Sequence, residues 1–334
     1  MKLLHLAREE PASCLFPPAF RDALAEFGEL TIVPKARALA ESEVVQAIRE
    51  NPVLLTGWGH IPIPLAIAEN PGNLAYICHI TGEMRRVIPV EIIRAGIPVT
   101  NWGDTPAFPV AEGALSLLLA CLKELRPHIE EKRAGLHRYS RPDVIGTMRG
   151  LRLGLYGFGA IGRKFCAMCQ PLGPQIAVFD PFVTELPEGV TRADSLRTIF
   201  ATSDAIAIHA ALTPETHHSV TAELLALLPD NGIVVNTARG AVVDQEALFA
   251  ELQAGRLRAG LDVLAYDDSL PPTHPARHWP NLLWTSHQIT YAEWPPRPDT
   301  LSDMHMVALD NLRRFASGQP VRFCMDEARY MRST

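Results

Sequence analysis

Short apolar runs alternate along this chain with longer stretches in which apolar positions recur every three to four residues. In the first hundred residues, the runs 2–7, 30–34, 53–57, 74–80 and 98–101 predict strands, and 19–27, 41–49 and 89–95 carry helical spacing. A second series follows the polar, arginine-rich stretch 132–149, with strands predicted at 151–156, 175–180, 204–210, 232–237, 259–263 and 282–286. Strands alternating with helices predict parallel sheets joined by crossovers, so both series read as doubly wound α/β domains. Two helices look like connectors. One, 111–125, is strongly apolar and precedes the second series. The other, 301–315, follows it, with Met304, Val307, Ala308, Asn311, Leu312 and Phe315 at helical spacing. Thr300 and Asp303 suit its start, and Gly318 with Pro320 marks its stop. A chain that enters and leaves the second sheet through such helices can return to the first domain, giving a hinged pair with a cleft.

Composition narrows the class. Of 334 residues, 47% are hydrophobic and 20% charged, an ordinary globular balance with room for about two domains. Thirty-one Lys and Arg against 37 Asp and Glu leave a net charge of −6, which argues against a nucleic-acid surface. The opening apolar stretch is interrupted by Arg8, Glu9 and Glu10, too early for a signal-peptide core. The most apolar stretch, 114–122, is far shorter than a membrane span. The cysteines are scattered, and Cys166-x-x-Cys169 falls in a predicted helix, where small packing residues are expected. No metal-ligand spacing appears among the 12 histidines and six cysteines. A reduced, cytoplasmic enzyme is the expected class.

Gly157-Phe158-Gly159-Ala160-Ile161-Gly162 is a GxGxxG directly after a predicted strand and at the opening of a predicted helix. In that context the first glycine makes the tight turn and the second lets the backbone approach a pyrophosphate. The third lets helix and strand pack closely, and the helix amino terminus faces the negative charge. The next strand ends in Asp180, 18 residues past Gly162, where a carboxylate accepts from ribose hydroxyls and repels a 2′-phosphate. Pro181 and Phe182 offer no cation for such a phosphate, so NAD is expected over NADP.

Ligands of open parallel sheets bind at the carboxyl ends of the strands. Those ends hold Gly157, Asp180, His209 with Ala210, Thr237-Ala238-Arg239-Gly240, Asp262 with Asp267 shortly beyond, and His287. A base, a cation and several carboxylates on one sheet edge are not a packing requirement. Together with Val110-Ala111-Glu112, Leu212-Thr213-Pro214-Glu215-Thr216, Asp244, Pro271-Pro272 and Ser286-His287, this series resembles the D-isomer-specific 2-hydroxyacid dehydrogenases across about residues 75–320.

The resemblance implies a Rossmann NAD-binding domain at 105–288 inserted in a flavodoxin-like substrate domain made of 1–104 and 289–334. It implies Arg239 as the substrate-binding arginine, His287 as the acid/base and Asp267 as its acidic partner. The family usually has glutamate at that position; here the adjacent Asp268 leaves the identity of the partner open. Cofactor contacts are implied for Gly157, Gly159, Ala160, Ile161, Gly162, Asp180, His209, Ala210, Thr237, Ala238 and Asp262, the last on the nicotinamide carboxamide. Backbone N–H groups near Thr81 and Gly82 are expected to grip a substrate carboxylate from across the cleft. The chemistry suits these residue types: imidazole exchanges a proton near neutral pH, and guanidinium forks a carboxylate.

The chain departs from the family in its carboxylate loop, His79-Ile80-Thr81-Gly82-Glu83-Met84-Arg85-Arg86, where glycines are usual. Arg85 is a candidate for a second negative charge on the substrate, as in a dicarboxylate or phosphate ester; the alternative is that both arginines are solvated. Trp102-Gly103-Asp104 is bulkier than usual, and Gln288 follows the histidine. His60, His217 and His218 lack partners in the pattern and read as surface residues. At this length the extra regulatory domain of the longest relatives is not expected. The expected function is hydride transfer between NAD and a small-molecule D-2-hydroxy acid or 2-keto acid, in a homodimer. Two alternatives stay open: an NAD-sensing corepressor-like binding protein on the same fold, and a formate- or phosphite-type dehydrogenase. Asp267 in place of glutamine argues against the formate version.

Overall fold

Five strands from the first hundred residues, β1 (Lys2–Leu6), β2 (Glu29–Val33), β3 (Val53–Thr56), β4 (Tyr76–His79) and β5 (Val99–Thr100), pair in parallel in the order β2-β1-β3-β4-β5. This is the flavodoxin-like winding. Successive side chains serve opposite faces: Val53 and Leu55 of β3 and Tyr76 and Cys78 of β4 enter one core, and Leu54 and Ile77 the other. Near-continuous apolar runs in these strands follow from that double burial. The computed structural model describes residues 1–10, 14–136, 146–265, 269–285, 287–289 and 301–332.

The second sheet is also wholly parallel. β6 (Arg152–Tyr156), β7 (Gln175–Phe179), β8 (Val190–Arg192), β9 (Ala205–Ile208), β10 (Ile233–Asn236), β11 (Arg258–Leu261) and β12 (Leu282–Trp284) run in the order β12-β11-β10-β9-β6-β7-β8. This is the Rossmann winding with one further strand beside β11. The sequence pattern predicted six strands here. It missed β8, whose Val190-Thr191-Arg192 lies at the sheet edge with two of three residues exposed, so no apolar run marks it.

The chain divides into two compact units, Met1–Thr105 with Ala292–Thr334, and Pro106–Tyr291. The helix Asp303–Ala316 packs in the first unit, where Ala308, Leu309 and Leu312 join the core over β4. Its cap is Ser302, with the His305 ring taken up by Ser302 and by the carbonyl of Leu15, and Thr300 lies outside the described residues.

The apolar helix Ala107–Leu122 belongs to the second unit and lies over β10 and β11. Gly260 makes that approach possible, because a Cβ there would sit 2.9 Å from Leu117 Cβ. The sequence pattern ran this helix to residue 125, but it stops at Leu122. Glu124 takes a left-handed conformation (φ 48°) and a second helix, Leu125–Arg133, begins. Glu124 Oε1 lies 2.9 Å from Arg258 Nη2, both side chains less than a tenth exposed, and this buried pair fixes the break. Cys166 and Cys169 are fully buried in the helix Ala160–Cys169, and burial pushes the Cys169 thiol up to about 12. They are packing residues, as their helical setting predicted.

Candidate active site

The turn after β6 is built by its glycines. Gly157 has φ 94°, and a Cβ on it would lie 2.6 Å from the amide nitrogen of Ala210. A Cβ on Gly162 would lie 2.4 Å from the carbonyl of Gly157, which is the close approach of helix to strand end. Gly159 has nothing within 4 Å of its Cβ position, so its face is open. It caps the helix Ala160–Cys169, whose first N–H groups, including those of Ala160 and Ile161, have no intrahelical acceptor and point at whatever occupies that opening.

Asp180, past the end of β7, is tied to this turn. Its Oδ2 accepts the N–H of Phe158 at 2.7 Å and its Oδ1 the N–H of Phe182 at 2.8 Å, so the carboxylate is fixed beside the glycines. His209 supplies the turn with backbone: its N–H bonds the carbonyl of Tyr156, and the 209–210 peptide covers Gly157. Its ring is turned inward against Phe165, with centroids 4.8 Å apart, and burial lowers its pKa to about 3.

Beyond β10, the Asn236 side chain braces the next residues. Its Nδ2 donates to the carbonyl of Arg239 and its Oδ1 accepts from the N–H of Ala238, both at 3.0 Å. Thr237 Oγ1 is buried with no hydrogen-bond partner among the described residues, a polar atom left for a bound group to satisfy. Arg239 is half-buried, and its Nη1 donates to the carbonyl of Ala238. Gly240 is obligatory here, since a Cβ would fall 1.9 Å from the carbonyl carbon of Leu264.

Asp262, after β11, organises the loop of His287. Its Oδ1 accepts from the Thr285 hydroxyl at 2.5 Å, the Gln288 N–H at 2.9 Å and the Ile289 N–H at 3.1 Å, and its carbonyl takes the His287 N–H. His287 is thereby held at φ 58°, with its side chain exposed. Ile289 anchors the far side of the loop on Gly113, where a Cβ would meet it at 2.7 Å. Asp267, Asp268 and Ser286 lie outside the described residues. These strand ends fit a dinucleotide: an open glycine turn, a fixed acid and an unsatisfied hydroxyl.

In the first unit, the backbone N–H groups of Thr81, Gly82, Glu83 and Met84 find no acceptor among the described residues. Buried N–H groups are seldom left so, and a run of them beyond a strand's carboxyl end suits an anion. His79, unmarked by the sequence, shapes this loop. Its Nε2 lies 2.8 Å from the Glu83 carbonyl, which only accepts, so Nε2 carries the proton and the Thr56 hydroxyl donates to Nδ1 at 2.8 Å. Burial lowers its pKa to about 4, which keeps this arrangement neutral.

Arg85 donates to the carbonyls of Tyr330 and Met331 at the end of the helix Glu327–Arg332. Those contacts describe a tether of this loop to the last helix. His60 corrects a sequence expectation. It is 4% exposed, its ring 5.1 Å from that of His5, because an isolated bridge between Ala7 and His60 folds the segment back onto β1. His217 and His218 are exposed, as expected.

Residues 115–288 match the family model of the D-isomer specific 2-hydroxyacid dehydrogenase NAD binding domain. A hydroxypyruvate reductase of Thermotoga maritima is 32% identical over 241 residues, covering 72% of this chain and 76% of that protein. A D-3-phosphoglycerate dehydrogenase of Methanocaldococcus jannaschii is 30% identical over 278 residues, covering 81% of this chain; the match spans about half (52%) of that longer protein. Among solved structures, a glyoxylate reductase from Paecilomyes thermophila shares the fold with a TM-score of 0.78 at 22% identity, over 98% of this chain and 99% of that one. No described helix is long and apolar enough to cross a membrane. With its glycine turn, fixed acid and His287 loop on one edge of a Rossmann sheet, the chain belongs to the D-isomer specific 2-hydroxyacid dehydrogenases, a family of NAD-binding oxidoreductases.

Proposed function

We propose that this protein interconverts a D-2-hydroxy acid and its 2-keto acid, with NAD in preference to NADP. The observation that carries the reading is the Asp262 bracket, which spends a buried carboxylate on fixing one short loop, the loop that presents His287. A bound nicotinamide would supply the hydride or take it up. In reduction, His287 as imidazolium gives its proton to the ketone oxygen as that oxygen gains charge, and in oxidation neutral His287 takes the hydroxyl proton. Arg239 holds the carboxylate and polarises the carbonyl, and the N–H groups of Thr81 and Gly82 are further carboxylate donors. Asp267 is the acid assigned to stabilise protonated His287. Gly157, Gly159, Ala160, Ile161 and Gly162 would hold the pyrophosphate, Asp180 the adenosine ribose, and Thr237 with Ala238 the nicotinamide side.

The test is consumption of NADH, with NADPH as the comparison, across glyoxylate, hydroxypyruvate, oxaloacetate, phenylpyruvate and a phosphorylated 2-keto acid. Turnover of at least one acid, faster with NADH and reduced by about 100-fold or more in His287→Ala, is expected. Tight NADH binding without turnover of any acid would reject the dehydrogenase reading and favour an NAD-sensing role.

A further inference from the structure

The loop Thr81–Met84 leaves the end of β4, and in the sheet β4 lies between β3 and β5. Each flanking strand delivers a tryptophan: Trp58 two residues past β3 and Trp102 two residues past β5. The Trp102 indole lies directly on Gly82, where a Cβ would come within 2.5 Å of three of its ring atoms. Trp58 meets Trp102 edge to face, with ring centroids 5.9 Å apart and planes at 84°, and remains 41% exposed. The two indoles therefore form an apolar wall beside the unpaired N–H groups. Gly82 is what admits it, since any side chain there would displace Trp102.

The charges nearby are of both signs. Arg85 is engaged by the carbonyls of Tyr330 and Met331. Glu83 adds a carboxylate to the loop itself, with Oε1 accepting the N–H of Arg86 at 3.2 Å. A substrate seated by one carboxylate on this loop would meet an aromatic surface, and the Glu83 carboxylate stands beside the exposed Arg86.

We propose that Trp58 and Trp102 make the protein selective for 2-keto acids, and the matching D-2-hydroxy acids, that bear an apolar or aromatic side chain and no second negative charge. This rests on the dehydrogenase reading above and deepens it. An aromatic surface gains from covering apolar area, whereas a second carboxylate or a phosphate loses solvation against it.

The experiment compares kcat/KM for phenylpyruvate and 4-methyl-2-oxopentanoate with that for glyoxylate, oxaloacetate and a phosphorylated 2-keto acid, all with NADH. The two apolar acids are expected to lead. In Trp58→Ala the ratio of phenylpyruvate to glyoxylate kcat/KM is expected to fall about tenfold or more, chiefly through KM for phenylpyruvate, with Trp58→Phe recovering part of it. A merely structural role would lower both substrates together and leave the ratio unchanged. That result, or a wild-type preference for glyoxylate, oxaloacetate or the phosphorylated acid, would overturn the assignment of side-chain class while leaving the dehydrogenase reading in place. Turnover of none of the acids would instead overturn the dehydrogenase reading, and this inference with it.

Discussion

Asp262 does its work through a loop it does not belong to. Three donors converge on its Oδ1 and its carbonyl takes a fourth, so the aspartate replaces the pairing that an irregular segment otherwise lacks. Asp262→Ala would leave those donors unsatisfied, at about 1–3 kcal/mol for each one buried, and would release His287 from its left-handed turn. A fall in kcat on the order of 100-fold is expected from misplacing the acid/base, with a lowered melting temperature. Asp262→Asn keeps an acceptor oxygen and should recover most of both. An alanine variant with wild-type kcat would show that the loop holds without the bracket. The sequence marked Asp262 and His287 separately by their strand-end positions, whereas their hydrogen bonds join residues more than 20 apart. His79 was missed because a histidine inside an apolar strand looks like any core residue until its partners Thr56 and Glu83 are seen.

At the scale of elements, the glycine turn separates folding from binding. Gly157 and Gly162 are required by the protein's own backbone, with contacts of 2.6 and 2.4 Å awaiting any Cβ, but Gly159 faces open space in an ordinary extended conformation (φ −73°). Gly159→Ala should therefore leave the melting temperature within a degree or two while weakening NADH affinity about tenfold or more, because the added methyl stands where the pyrophosphate must approach. Calorimetric titration with NADH beside a melting curve checks both halves, and unchanged affinity would place the cofactor elsewhere. The strands and most helices were legible from periodicity, since each buries a regular face. β8 and the break at Glu124 were not. The first has too few residues to show a period, and the second depends on Arg258, an ion partner 134 residues away.

Across the whole molecule, burial of the His5, His60, His79 and His209 rings makes stability depend on pH. Burial lowers His5, His60 and His79 in the first unit to about 4, 3 and 4, and His209 in the second to about 3. In the unfolded chain each titrates near 6.5, so between pH 6.5 and 4 the unfolded state binds protons that the fold refuses. Stability is complete above about pH 6.5 and declines as pH falls, by up to about 1.4 kcal/mol per pH unit for each histidine. Melting temperatures should drop between pH 7 and pH 5, and His60→Leu should make that drop shallower. Identical melting at the two pH values would contradict the buried, neutral state of these rings.

The sequence by itself determined the two parallel sheets, the dinucleotide turn and the strand ends that carry Arg239, Asp262 and His287. Periodicity and a glycine motif are local, and local patterns survive in one dimension. Only the tertiary structure decided that Trp102 lies on Gly82, that Arg85 is held by the last helix, that His60 is buried and that Asp262 braces the His287 loop. Each is a contact between distant segments, and all but the Arg85 tether are set by which strand ends the sheet places side by side.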